Sequence, residues 1–208
     1  MCSAVNLTFL PSISPPPYEE YARVIIEEGI KIAETAGGPE AKPIIALYKQ
    51  HGIYVIHKTT VRSPLLTSTW CRCKRDLQSI RHAKSAVKLG VDCLSIDGFE
   101  CAGHPGRDEI GGLLLLALAA KELDVPYIAS GGIGNGRGLA AAIALGAQGV
   151  NAGTIFMATK ECQMHQNIKD AMVAANELST VRLSLALLKS VTRQTHGRLI
   201  GSHAQDSR

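Results

Sequence analysis

The sequence lacks any segment that would place the protein in or across a membrane. Its apolar runs are all shorter than the roughly 18 residues that a membrane-spanning helix requires. The first residues, MCSAVNLTFL, contain neither the basic stretch nor the small-residue cleavage site of a secretory signal. We therefore expect a cytoplasmic protein with no membrane partner.

Signatures of metal binding and of nucleic-acid binding are absent as well. The six cysteines form no CxxC pair and no second ligand cluster at zinc spacing, so we expect reduced thiols and no bound metal. The formal net charge is only +4, and the basic residues are scattered apart from Arg72, Lys74 and Arg75. Since a nucleic-acid-binding domain normally presents a larger basic face, we expect no nucleic acid partner. The sequence also contains no nucleotide P-loop and no nucleophilic triad.

Six apolar segments rich in β-branched residues alternate with helical segments along the chain. The predicted strands begin near residues 5, 30, 53, 91, 126 and 149. Repeated βα units form a parallel sheet with helices outside, and both an open doubly wound sheet and a (β/α)8 barrel fit. The barrel is favoured because the glycine-rich turns lie late in the chain. A dinucleotide-binding sheet would instead carry its glycine fingerprint after the first strand.

The α/β barrel is predicted to be a TIM barrel from which about two βα units are missing. A full barrel usually needs about 250 residues, whereas this chain of 208 residues holds about six βα units. We assign residues 1–180 to the partial barrel and residues 181–208 to a helical, frayed C-terminal tail. The alternation is interrupted between Thr59 and Arg81, where no clean period is found, and it resumes at His82.

Two glycine turns follow neighbouring strands near the end of the predicted barrel. Ser130-Gly131-Gly132 ends the fifth strand, and Gly153-Thr154 ends the sixth. Glycine lets a backbone approach an anion closely, and the helix after the first turn adds free N–H groups at its N-terminus. Either turn alone could be a tight turn without a ligand, but the pair predicts a phosphate site.

Three further side chains are candidates for the same end of the barrel. His104 lies in the loop GHPG after the fourth strand, where an imidazole can act as an acid or a base; the alternative is an ordinary surface histidine. Lys58 ends the third strand and either neutralises an anionic ligand or simply faces solvent. Asn6 shares the interior face of the first strand with Thr8. We expect Glu100 and Asp97 to position the His104 loop rather than to react.

Several segments together resemble the nitronate monooxygenase (2-nitropropane dioxygenase) family. They are VNLTFLPSISPPPY, IKIAETAG, VIHK, SIDGFECAGHPG and VPYIASGGIGNGRGLAAAIALGAQGVNAGTIFMAT. Members of this family are FMN-dependent (β/α)8 enzymes that oxidise alkyl nitronates with O2 to carbonyl compounds and nitrite. The family has close relatives among NAD(P)H:quinone reductases, from which these motifs separate it poorly.

The resemblance implies a specific set of site residues. It implies that the FMN phosphate is bound by Ser130, Gly131, Gly132, Gly153 and Thr154. It places Asn6 beside the cofactor and Lys58 near the flavin ring, and it makes His104 the catalytic acid or base.

The chain departs from the family pattern in three places. Family members begin with two βα units that have no counterpart here, so we expect a TIM barrel that is truncated at its N-terminus. The segment after the last barrel helix is also shorter, and residues 63–81 form an insertion without a counterpart in the family. Three hypotheses therefore remain: an FMN-dependent nitronate monooxygenase, an NAD(P)H:quinone oxidoreductase on the same scaffold, and a non-catalytic truncated fragment. The enzymes would take a nitronate or a quinone as substrate, with O2 or NAD(P)H as the second reactant.

Overall fold

A computed structural model of the chain describes residues 4–9, 15–59, 78–103, 110–176 and 178–179. His104, most of the predicted insertion at 63–81 and the predicted tail at 181–208 lie outside the described residues. The chain divides into two compact units, Met1–Phe156 and Met157–Arg208.

The first unit is built on a six-stranded parallel sheet in which the strands follow one another in chain order. The strands are β1 (Ala4–Thr8), β2 (Ile32–Ala36), β3 (Tyr54–Thr59), β4 (Cys93–Asp97), β5 (Tyr127–Ser130) and β6 (Val150–Asn151). A doubly wound sheet reverses its strand order in the middle, whereas a barrel keeps the chain order throughout. The strand order therefore confirms the barrel prediction over the other architecture that fits the alternation.

Helices connect the strands and cover one face of the sheet. They are α1 (Tyr18–Glu27), α2 (Lys42–Gln50), α3 (Gln78–Val87), α4 (Gly112–Glu122) and α5 (Gly136–Ala144), with a 3-10 turn at Pro39–Ala41. The short helix α6 (Thr154–Met157) follows β6 and buries none of its residues. The apolar core lies between these helices and the outer face of the sheet, where Val55, Leu94 and Ala129 are fully or almost fully buried. Burial of this face is the main favourable contribution to the fold.

The sheet is strongly curved, as one side-chain contact shows. Asn151 of β6 donates a hydrogen bond of 3.2 Å from Nδ2 to Glu34 Oε1 of β2. Four strand spacings separate β2 from β6, which in a flat sheet is about 19 Å. Since neither side chain could span that distance, the sheet must curl until the inner faces of β2 and β6 approach each other, as in a barrel.

The boundaries of three elements differ from the predicted ones. Helix α3 begins at Gln78, four residues before the predicted resumption at His82, and it buries Ile80 in the core with an exposed fraction of 2%. Strand β6 has only two residues, because the chain turns into α6 at Thr154 and the Phe156 N–H donates to the Gly153 carbonyl. The sequence pattern also predicts a final helix over residues 166–177, whereas the observed helix spans Gln166–Ala174.

The buried face of α1 also differs from the predicted one. We expect Tyr21, Val24 and Ile25 on one apolar face, but Tyr21 and Val24 are 47% and 53% exposed. Ile25 is buried as expected, and Ala22 is buried in place of Tyr21 and Val24. The small Ala22 side chain faces the core, which lets this helix approach the sheet closely, whereas a tyrosine there would hold it away.

The second unit contains helix α7 (Gln166–Ala174). Its Lys169 is 8% exposed, and the ammonium donates to the carbonyls of Thr159 at 2.7 Å and Cys162 at 2.6 Å. Two carbonyl acceptors offset part of the desolvation of a buried ammonium. Within the described residues of both units, no helix combines the length and the apolar character needed to cross a membrane.

Candidate functional site

The inner face of the curved sheet is polar. The register places the same face of neighbouring strands side by side. The polar side chains on this face belong to Asn6, Thr8, Glu34, Lys58, Ser95, Asp97, Ser130 and Asn151. A polar layer inside a barrel is the place to look for a site, because a purely structural interior is filled by bulky apolar residues.

An ion pair lies on this face near the carboxyl ends of β3 and β4. Lys58 Nζ is 3.2 Å from Asp97 Oδ2, and the side chains are 25% and 1% exposed, respectively. Among the described residues, neither Asp97 oxygen accepts a well-formed hydrogen bond, and the buried Ser95 Oγ beside it also lacks one. Buried polar atoms are normally paired. These atoms therefore mark a place where the described residues leave polar groups available to a ligand or water.

The Asp97 carboxylate controls the charge of its neighbours. Burial acts to lower the pKa of Lys58, but Asp97 and, to a lesser extent, Cys101 and Glu34 outweigh it, so that this pKa is raised. Burial, together with Asp97, raises the pKa of the Cys101 thiol to about 11. Lys58 is therefore a cation at neutral pH, and Cys101 is a neutral thiol that makes a poor nucleophile.

A hydrogen-bond network joins β1, β2 and β6 on the same face. Asn6 Nδ2 donates to Glu34 Oε2 at 2.6 Å, and Asn151 Nδ2 donates to Glu34 Oε1 at 3.2 Å. The Thr8 hydroxyl donates to Asn6 Oδ1 at 2.7 Å. Both oxygens of one carboxylate and both ends of one amide are thereby used, so Asn6 is held in a defined orientation.

The two glycine turns differ in what their glycines do. Gly131 has φ +95°, and a β-carbon there would lie 2.7 Å from the Cys101 backbone nitrogen. A glycine is therefore required at this position, both by the backbone conformation and by packing against the neighbouring loop. At Gly153, by contrast, no atom of the described residues lies within 4 Å of a β-carbon position. Gly132 has φ +70° and is exposed, and Ser130 is in register with Asp97 and Asn151.

The N-terminus of α5 is already capped, which corrects one expectation. The Asn135 side chain accepts hydrogen bonds of 3.0 Å from the N–H groups of Arg137 and Gly138. We expected free N–H groups at this helix end to bind a phosphate, but two of them are satisfied by the cap. The cap therefore leaves fewer helix N–H groups for a phosphate at this turn.

Glu100 holds together the two ends of the loop that contains His104. Both carboxylate oxygens accept from the Gly112 N–H at the start of α4, at 3.0 and 3.1 Å. The Phe99 N–H donates to the Ile110 carbonyl at 3.0 Å in the same region. A carboxylate at a helix N-terminus is favourably placed, so Glu100 acts on the loop as a clamp. Asp97 ends β4 and pairs with Lys58, a contact that the sequence does not predict.

His57 lies on the opposite, outer face of β3, as the alternation along the strand predicts. Its Nδ1 is 2.8 Å from the Thr35 hydroxyl in a buried environment, and burial lowers its pKa to about 4. The imidazole is therefore neutral at pH 7 and belongs to the core.

The structure thus brings Asn6, Lys58 and Ser130 onto one face, with the glycine turns following β5 and β6. Glu34 and Asn151 were not predicted as site residues. The signal for them was available: alternation along β2 places Glu34 on the face of Asn6 and Lys58, and Asn151 precedes Gly153 by two residues. Within the described ranges, no cluster of three or more His, Cys, Asp or Glu residues could hold a metal ion.

Comparison with known proteins assigns the family. Residues 8–205 match the profile of the nitronate monooxygenase family. The chain belongs to the nitronate monooxygenase family. It is 32% identical over 157 residues to a nitronate monooxygenase of Paraburkholderia phytofirmans, covering 72% of this chain and 38% of the relative. It is also 32% identical over 151 residues to a 5-hydroxy-7a-methyl-1-oxo-octahydro-1H-indene-4-carboxyl-CoA dehydrogenase of Rhodococcus jostii, covering 73% of this chain and 37% of the relative.

A solved structure shows the same fold. FabK from Thermotoga maritima superposes with a TM-score of 0.70 at 29% identity, covering 86% of this chain and 49% of that one. The chain therefore spans about half the length of this structural relative and less than half of the two curated relatives. Membership of the nitronate monooxygenase family points to a flavin as the cofactor.

Proposed function

We propose that this chain forms the flavin-binding part of an FMN-dependent nitronate monooxygenase, which oxidises alkyl nitronates with O2 to carbonyl compounds and nitrite. One observation carries the proposal: a lysine kept charged by a buried carboxylate faces the same end of the sheet as two glycine turns. A phosphate, a nitronate and an electron-rich flavin ring are all species that such an end would favour.

The residues divide into a phosphate end and a ring end. Ser130, Gly131 and Gly132 on one turn, and Gly153 and Thr154 on the other, would hold the phosphate through N–H and hydroxyl donors. The open space at Gly153 fits this role, because any side chain there would occupy the cradle. Lys58 and Asn6 would lie toward the ring. A bound flavin would supply the electron-transfer chemistry that no side chain here provides.

Each polar side chain then has a definite task. Asp97 keeps Lys58 protonated and fixes its direction, so that the ammonium offers a fixed positive charge to an anion. Glu100 restrains both ends of the loop at 98–112. We propose His104 as the residue in that loop that binds the anionic nitro group or removes a proton from a neutral nitroalkane.

The test is a comparison of two activities on one preparation of the purified protein supplied with FMN. We expect O2 consumption and nitrite formation with an alkyl nitronate. NADH oxidation that depends on a quinone, without nitrite formation, would instead support a quinone reductase. A folded protein that binds FMN but performs neither reaction would contradict the proposal and support a non-catalytic fragment.

A further inference from the structure

Glu34 is the residue through which distant parts of the inner face are connected. Its two carboxylate oxygens accept from Asn6 on β1 and from Asn151 on β6, which are 145 positions apart in the sequence (151 − 6). Asn6 is a proposed contact of the flavin ring, and Asn151 ends the strand that leads into the phosphate turn at Gly153. One carboxylate therefore bonds both a proposed ring contact and the strand that leads to the proposed phosphate turn.

The chemistry of Glu34 fixes which group donates in each of these hydrogen bonds. An ionised carboxylate only accepts hydrogen bonds, so both asparagines must turn their NH2 groups toward Glu34. The Thr8 hydroxyl donates a hydrogen bond to the other end of the same amide, Asn6 Oδ1. Hydrogen bonds to a charged acceptor are stronger than neutral ones. The two bonds to Glu34 should therefore hold the asparagines more firmly than bonds between amides would.

The position of Glu34 within the sheet supports the same conclusion. It is only partly exposed and shares its face with Lys58, two positions along from its register partner Ile56. Glu34 also helps to raise the pKa of Lys58, although Asp97 contributes more. Its charge therefore acts on Lys58 at the proposed ring end of the site.

From these contacts we infer that Glu34 is a positioning residue, which orients Asn6 at the ring end and fixes Asn151 below the phosphate turn so that both ends engage one cofactor. This inference rests on the proposed function. It differs from a purely structural brace, because it predicts changes in the bound flavin as well as in stability.

The experiment compares three variants with wild type by FMN titration and by the visible absorption of the bound flavin. Glu34→Ala releases both asparagines, and we expect FMN affinity to fall about tenfold or more, as for loss of hydrogen bonds to a charged group. We also expect a shifted absorption band at saturating FMN. Glu34→Gln keeps one acceptor oxygen, which can take the shorter hydrogen bond from Asn6. Its flavin absorption band should therefore match that of wild type, and its FMN affinity should fall less than in Glu34→Ala.

The third variant tests whether the two residues act together. In the double variant Glu34→Ala with Asn151→Ala, the affinity should be no lower than in Glu34→Ala alone, because both changes remove the same contact. The matched control is Glu122→Ala, which removes a carboxylate paired with Lys84 on the helical surface. It should leave both affinity and spectrum unchanged.

Several outcomes would contradict either the positioning role or the proposed function. An unchanged FMN affinity or an unchanged absorption band in Glu34→Ala would overturn the positioning role, as would a double variant that binds FMN more weakly than Glu34→Ala alone. If Glu34→Ala fails to fold, Glu34→Gln carries the test, and wild-type affinity in that variant overturns the role. A wild-type protein that binds no FMN would instead overturn the proposed function itself.

Discussion

Asp97 shows how a single side chain can set the character of the site. Its carboxylate is almost fully buried, and Lys58 is its one charged partner among the described residues. A buried charge without a partner would be strongly destabilising, so the pair depends on both members. The sequence predicts Lys58 as a site residue from its place at the end of a strand, but the pairing with Asp97 depends on the register between β3 and β4.

The role proposed for His104 is tested by substitution. His104→Ala should lower turnover by about 10²-fold or more, because general acid–base catalysis contributes that much. Turnover is measured with a neutral nitroalkane, which requires removal of a proton. His51→Ala is the control, because that histidine is exposed and bonds only the Leu47 carbonyl among the described residues. Equal turnover in His104→Ala and wild type would refute the acid–base role.

His57 predicts a pH dependence of stability. Its folded pKa of about 4 lies below the value of 6.5 for a free imidazole. Between these values the unfolded chain binds a proton that the folded protein does not, so the free energy of unfolding falls as the pH decreases from 6.5 toward 4. The loss is on the order of 3 kcal/mol over this window.

The measurement is thermal unfolding at several pH values in wild type and in His57→Gln, which does not titrate and can still bond Thr35. Burial lowers the pKa of His82 as well, so part of the pH dependence remains in the variant. We expect a clearly shallower decline in His57→Gln. Equal slopes in both proteins would show that His57 is not the group responsible.

At the scale of the elements, the two glycine turns predict opposite phenotypes. Gly131→Ala forces a side chain into a conformation with φ +95° and against the Cys101 backbone, so it should cost about 1–3 kcal/mol of stability. Gly153→Ala meets no described atom and should leave stability nearly unchanged. Its added methyl should lower FMN affinity about tenfold, because it occupies the proposed phosphate cradle.

Thermal unfolding without FMN and FMN titration separate these effects. Gly136→Ala serves as the control, since it also meets open space at a φ that is not positive. A Gly153→Ala variant that binds FMN like wild type would remove the second turn from the phosphate site.

The sequence was most informative where a periodic pattern meets a turn signal. All six strands and the helices between them were predicted, because β-branched runs and glycine stops coincide. The rotation of α1 was missed because Tyr21 and Ala22 are both compatible with an apolar face, and tertiary packing chose the smaller residue. The early start of α3 was missed because residues 78–81 are polar apart from Ile80.

The contact between Glu34 and Asn151 could not be read from local patterns. It joins residues 117 positions apart and exists only because six strands curl around a common interior. Alternation along the strands places both Glu34 and Asn151 on the inner face. The distance between them across that face depends on the curvature of the whole sheet.

At the scale of the whole molecule, six consecutive strands form a curved sheet with a polar interior, while the chain spans 37% to 49% of the length of the relatives compared. The proposed phosphate end and ring end both lie within the described residues, except for His104. Our account therefore requires that this chain alone binds the cofactor.

The visible absorption spectrum of the purified chain, recorded before and after addition of FMN and removal of the unbound excess, tests this requirement most directly. We predict flavin absorption bands that remain with the protein and that weaken in Gly153→Ala. A cooperatively folded protein that stays colourless after incubation with FMN would contradict the account.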